Sequence, residues 1–279
     1  MPAPQAAMLK NMARAMFKAH AIQLPVNWQQ PSGKAGEQYV DAFKPSERAV
    51  PPDPSALFIP ASPNKYHVDT ANSISNKFGT FIDGVCDAVA QAWGQFHSMA
   101  MLTGIVINGP VAAGGTLVGP PLTPLIIASA PKATANEIKY SKTIATVIGT
   151  AFTQWQNAVK VPGLPWYPAF ALFPSPMAPP MPNIPTPLVA IGAAGMSSMM
   201  DSALSGQMTS QLGDPQAQHH KELFDSIAKA VFSTFTLWHT TTMVNNVLGM
   251  GPVPTFAPPF VPAGPVLCGN NIPVPGILG

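Results

Sequence analysis

The sequence predicts a mainly α-helical chain with extended Pro/Gly-rich arms and short β segments. It is organised as three internal helix-plus-arm repeats, and a pseudo-three-fold core is one arrangement open to it. Three observations carry this expectation. The pairs Ile82–Trp93, Ile144–Trp155 and Ile227–Trp238 share one spacing of eleven positions, about three helical turns, so both members of each pair lie on one helix face. A large apolar or aromatic residue stands four places before each Ile (Phe78, Tyr140, Leu223), and a double proline follows each Trp (Pro120–Pro121, Pro179–Pro180, Pro258–Pro259). Charged residues make up only 9% of the chain and 34 of its 279 residues are proline, against typical shares of about 25% and about 5%. Self-similarity of this kind is the signature of a repeat architecture.

The elements follow in order. Residues 1–70 read as an N-terminal helix and an extended arm. The helix spans 4–21, with Met8, Met12, Met16 and Ala19 at helical spacing and Lys10, Arg14 and Lys18 on the other side of the wheel. Prolines punctuate 22–70, including Pro25, Pro31, Pro45, Pro51 and Pro52, and leave no periodicity. Repeat one, 71–131, has a helix capped at Asp69–Thr70 that runs to Gly104, with Phe78, Phe81, Ile82, Val85, Val89 and Trp93 as its apolar stripe. An arm over 105–130 follows, with a turn at Asn108–Gly109 and short strands at Ile105–Ile107 and Leu125–Ala128.

Repeat two, 132–191, opens with Thr134 and Glu137 three residues on, the capping-box pattern, and its helix ends at Pro162–Gly163. Its arm, 162–191, is the densest in proline, which favours extended, pre-ordered backbone. Residues 192–218 are a connector with a helix near Ser197–Leu212. Repeat three, 219–279, has a helix entered near Asp214–Pro215 that runs to about Leu248, closed by Gly249, and then a C-terminal arm.

Candidate chemistry is sparse. His219, His220, Glu222 and Asp225 form the densest set of ligand-type side chains, but adjacent histidines at a helix start point apart, and a zinc site needs three or four converging ligands. His97 and His239 read as core or interface histidines. Asp83 and Asp87 share a helix face at i, i+4 and read as a solvated flank. Gly114–Gly115 matches no phosphate-binding pattern and reads as close backbone packing. The Trp166–Tyr167 pair, flanked by prolines, reads as a fixed interface loop. Cys86 and Cys268 read as free thiols, with a bridge between them left open. No catalytic residue, metal or cofactor is expected.

A net charge of +2, with Lys10, Arg14 and Lys18 the best basic cluster, does not favour nucleic acid. Residues 161–200 and 230–279 lack Asp, Glu, Lys and Arg, yet proline recurs too often there for a membrane-spanning helix. The start shows no secretory signal, so synthesis in the cytoplasm is expected. So little charge cannot cover a soluble monomer; large obligate interfaces are apolar and charge-poor. The expected partners are therefore other structural proteins of an assembly, with self-association also open. Ile82, Trp93, Ile144, Trp155, Ile227 and Trp238 are the expected packing residues, and the double prolines with Trp166 and Tyr167 are the expected contact residues. The rival reading, a membrane-active or pore-forming protein, rests on the uncharged stretches and the amphipathic N-terminal helix. An enzyme with an unfamiliar site is the third.

The charge-poor, Pro-rich, arm-bearing character resembles phage virion and contractile-injection-apparatus structural proteins. The stretch PVPTFAPPFVPAGPV resembles Pro-rich loops of PAAR-like tip proteins. The resemblance implies a non-catalytic assembly protein, carried in a virion or injection particle, whose arms clamp neighbouring subunits. A triplicated chain would match a trimeric hub or spike.

Overall fold

The computed structural model describes residues 3–25, 49–166, 171–173, 175–214, 216–254, 256–257 and 261–279. Tyr167, Pro258, Pro259 and most of the 22–70 segment's middle lie outside them. The described residues carry seven α-helices and eleven strands, so the fold is mixed α and antiparallel β rather than mainly α.

Three long helices hold the tryptophans of the three Ile–Trp pairs: α2 (Lys65–Met99), α4 (Ala135–Ala158) and α7 (His220–Thr241). Helix α2 begins earlier than Asp69 because the Asn64 side chain accepts from the Tyr66 N–H at 2.9 Å, capping the orphan donors of the first turn. The capping box of α4 forms as the sequence indicates, with Thr134 and Glu137 exchanging bonds of 3.1 and 3.3 Å. His219, in the left-handed region at φ 57, enters α7.

Three shorter helices wedge between the long ones. Helix α1 (Ala6–Ala19) packs on α2 and α7, α3 (Leu122–Ser129) on α2 and α4, and α6 (Asp201–Leu212) on α4 and α7. A single turn, α5 (Val189–Gly192), and a 3-10 segment, Ala193–Met199, lead into α6. The six helices thus close a ring in which long and short alternate. The 192–218 segment is therefore no mere connector, since α6 fills one of the three wedges. Helix α3 occupies the place where a strand over Leu125–Ala128 is expected. Its Pro124 stands in the first turn, where a missing N–H costs nothing.

The buried stripe of α1 is Leu9, Ala13 and Phe17, one step away from the methionine row, which is only half-buried. This register brings the basic row onto α2. Arg14 makes a bidentate pair with Asp83 (2.7 and 2.7 Å), and Lys10 lies 2.9 Å from Asp87. Asp83 and Asp87 are therefore not a free solvated flank: they dock α1. Gly79 makes room for the Arg14 guanidinium, 2.9 Å from where a Cβ would stand.

The segments that follow each long helix fold back as strands. After α2 come β1 (Met101–Asn108) and β2 (Val111–Val118). After α4 come β3 (Val161–Pro165), β4 (Ala171–Leu172), β5 (Met177–Pro182) and β6 (Thr186–Pro187). After α7 come β7 (Met243–Val244), β8 (Leu248–Pro252), β9 (Phe256–Ala257), β10 (Val261–Gly264) and β11 (Gly269–Ile272). Six of them form one antiparallel sheet in the order β3-β2-β1-β11-β8-β5. Strands β4, β10 and β9 form a second sheet, and β6 pairs with β7.

The region 105–130 is thus a regular hairpin plus a helix, not an arm. The C-terminal segment is likewise internal: β11 lies between β1 and β8, and Ile277 and Leu278 are buried. Prolines are placed as hydrogen bonding requires. Strands β3 (VPGLP) and β5 (MAPPMP) stand at the two ends of the strand order, where a missing N–H does not break the ladder. The double prolines have different settings: Pro120–Pro121 leads into α3, whereas Pro179–Pro180 lies exposed in β5.

Two side chains replace backbone pairing where the strands part. Asn271 Oδ1 accepts from the Ile105 N–H at 3.0 Å and its Nδ2 donates to Leu102 O, on either side of the point where Gly104 (φ 73) faces Gly115 (φ 80) without a shift of register. Buried Asn183 donates to Ile184 O and Val244 O and accepts from the Val247 N–H at 3.0 Å. At Gly115 a Cβ would stand 2.7 Å from Thr103 O, so the glycine pair serves close backbone packing.

Candidate interaction surfaces

The six Ile and Trp packing residues all reach the core, each at most 2% exposed. The tryptophans converge from three helices on one aromatic cluster. Trp238 lies 5.3 Å from Trp93 and 5.6 Å from Trp155 between ring centroids, with Phe152 and Phe235 between them. Edge-to-face contacts such as these add about 0.5–1.5 kcal/mol beyond burial. Trp155 Nε1 donates to Gly192 O at 2.9 Å, and Trp238 Nε1 donates to His97 Nδ1 at 3.1 Å. His239 stacks on Phe235 at 5.8 Å. Burial holds both imidazoles below the usual histidine range, as expected when the charged form loses its hydration.

The remaining candidates have separate settings. His20 and Lys229 both reach Asp225 (3.3 and 2.8 Å), while His220 Nδ1 contacts Ala217 O. Among the described residues no three His, Cys, Asp or Glu side chains are grouped to hold a metal. Cys86 is buried in α2, and burial pushes its thiol up to about 12. Cys268 is exposed, and no disulfide joins the two. A thiol reagent at pH 8 is expected to modify one equivalent per native chain, at Cys268, and the second only after denaturation. Quantifying modified peptides by mass spectrometry checks this.

Two surfaces remain. The first is the sheet end. None of the eleven strands contains Asp, Glu, Lys, Arg or His; among the described residues every charge lies on the helices or on the turns and segments beside them. Outward-facing Val106 (44% exposed), Val111 (47%) and Met177 (42%) are apolar. So are Leu172 and Leu267. At the rim, Val111 pairs with Pro165 and Met177 with Pro252, and Asn108 Oδ1 accepts from the Cys268 N–H at 2.9 Å. Trp166, by contrast, is buried, and its Nε1 donates to Met181 O at 3.3 Å. It ties β3 to β5 instead of offering a contact. Periodicity reveals little of this surface beyond β1, because most of the other strands are short or rich in Gly, Ala and Pro; the absence of charge is the signal that marks it.

The second surface is a cleft of about 420 Å³ between α2, α4 and the entry to α7. Its wall joins Phe78, Tyr140 and Leu223, the residues four places before each buried Ile, with Phe81 beside them. A smaller hollow, about 230 Å³, lies between the start of α1 and α7 at Met8, Thr234 and Trp238.

Among the described residues no helix is long and apolar enough to cross a membrane. The apolar face of α1, on which the membrane reading leaned, is buried against α2 and α7. Comparison with protein-family models, with curated proteins and with solved structures finds no match for this chain.

Proposed function

We propose that this chain is a non-catalytic structural protein of a large assembly (a phage virion, a tail or baseplate, or a contractile injection apparatus) that docks on a neighbour through its charge-free sheet end. The observation that carries the reading is the separation of charge: eleven uncharged strands gathered beside a charged helical body. An apolar, charge-depleted patch is what the buried centre of a protein interface requires, and exposed patches of this kind on soluble chains mark interaction sites.

Internal triplication accounts for the plan of the molecule. Each of α2, α4 and α7 has a short helix on either side, carries one core Trp and is followed by two strands of the six-stranded sheet. We read these as three helix-plus-strand repeats about a pseudo-three-fold axis, and a trimeric hub or spike is the partner such an axis fits. The described Pro-rich strands act here as a folded contact face. Synthesis in the cytoplasm followed by incorporation into the particle completes the reading.

The test is a triple variant, V106K/V111K/M177K, compared with the unaltered chain in purified particles by native mass spectrometry and negative-stain imaging. The unaltered chain is expected at fixed stoichiometry in a particle. The variant is expected to melt within a few degrees of it but to be missing from the particle. A chain that stays monomeric and never enters a particle overturns the proposal, as does a variant that assembles normally.

A further inference from the structure

The three long helices carry their apolar residues in layers. Ile82, Ile144 and Ile227 are each 0% exposed, and the tryptophans close the layer beyond them. The layer one turn before the isoleucines is left open. Leu223 is buried at its floor, but Phe78, Phe81 and Tyr140 remain half-buried around a hollow of about 420 Å³. Phe81 and Tyr140 stand edge to face at 6.3 Å, and Tyr140 leans on Phe224 at 5.7 Å. The hollow lies in the range of about 300–1,000 Å³ typical of small-molecule sites, which are mostly apolar with a few polar groups at the edge. Fifteen residues separate Phe78 from Trp93, so it lies about 22 Å along α2 from the tryptophan layer. It is therefore separate from the sheet end, and its occupancy does not depend on the assembly reading.

The edge of the cleft sets the charge of what it would take. Among the described residues two charged side chains border it, Lys77 and Glu137. The Glu137 carboxylate is already committed: its Oε2 accepts from the Ala133 and Thr134 N–H groups at 2.6 and 3.3 Å. Lys139 on the same helix is paired with Asp214 at 2.9 Å, and Lys65 with Asp69 at 2.6 Å. Lys77, exposed on α2, makes no ion pair among the described residues. The Glu137 charge is thus held against the helix N-terminus, the Lys77 ammonium is the charge left to meet a ligand, and the remaining edge groups, from Asn136 and Gln218, are neutral.

We infer that this cleft binds a small aromatic anion, a flat apolar ring system carrying one carboxylate or sulfonate group. The ring lies against Phe78, Phe81 and Tyr140 over Leu223, and the anionic group meets the Lys77 ammonium. Flat rings suit a wall of aromatic edges and faces, and a charge-assisted contact to the ammonium orients the ligand.

The test titrates the full chain with 8-anilinonaphthalene-1-sulfonate and with its neutral counterpart N-phenyl-1-naphthylamine, reading fluorescence. Near-UV circular dichroism confirms that each protein keeps native packing. Saturable one-to-one binding of the sulfonate is expected. K77Q is expected to weaken the sulfonate about tenfold, the size of one charge-assisted contact, and to leave the neutral probe unchanged. F81A is expected to weaken both probes, and V106K, at the sheet end, neither. Non-saturating binding overturns the site, as does binding unchanged in both K77Q and F81A, or binding lost in V106K. A neutral probe that binds as tightly as the sulfonate overturns the anionic assignment.

Discussion

Replacing Trp155 by alanine is expected to lower stability by about 4–5 kcal/mol, which is much of what a domain of this kind possesses. The ring is completely buried against Phe152, Phe235, Trp238 and His239. Its Nε1 also holds Gly192 O, at the turn that leads to α6. Truncation therefore opens a cavity where three helices meet and leaves a buried carbonyl without its donor, a further cost of about 1 kcal/mol. The backbone cannot close in easily, because Gly195 already sits where a Cβ would be 2.7 Å from the Trp155 Cα. Chemical denaturation followed by circular dichroism checks this, with W155F as the milder control that keeps most of the ring volume. A W155A protein with an unchanged midpoint would show that the three-helix cluster is not what holds the fold.

The second large effect is expected at the sheet. A Cβ at Gly251 would overlap the Gly269 Cα and stand 2.6 Å from Val266 Cγ1. The obstacle is largely backbone, so no rotamer change relieves it, and β8 must move away from β11. Gly251→Ala is expected to cost about 2–4 kcal/mol, at or above the upper end for overpacking. The damage should be local: faster amide exchange in β1, β8 and β11, with α2, α4 and α7 still protected. Gly206→Ala provides the contrast. Nothing lies within 4 Å of a Cβ there, and in the helix α6 alanine is expected to stabilise by up to about 1 kcal/mol. Equal effects at the two glycines would mean that the sheet is not closely packed at β8.

The helical half of this architecture was legible from spacing. The Ile and Trp pairs recur because each helix must bury one face, and that requirement leaves a period in the sequence. The Thr134–Glu137 box is legible for the same reason, being local. Strands β5 and β8 left no such trace. MAPPMP and LGMGP contain no β-branched residue, and they pair because their small residues and turns let neighbouring backbones approach, which only the folded sheet makes visible. Helix α3 misleads in the opposite way: Ile126–Ile127 suggests a strand, but Pro124 fits a first helical turn and Ile126 is buried in the helical core. The α1 stripe was displaced because Phe17 buries more area than the methionines and because Asp83 and Asp87 capture its basic row. The open layer at Phe78, Tyr140 and Leu223 was visible as a recurrence. That it encloses space depends on how far apart the helices stand, which spacing along the chain does not express.

An uncharged β surface would ordinarily invite copies of itself to add on, strand by strand. Here the two outer strands, β3 and β5, are the most proline-rich, and both belong to the segment between α4 and α6. They are tied by Ile184 N–H to Pro165 O at 3.1 Å and by Trp166 Nε1 to Met181 O at 3.3 Å. An incoming strand would find few donors on these margins. A partner meeting these two margins would thus be recognised by the shape of its side chains and not by extension of the backbone ladder.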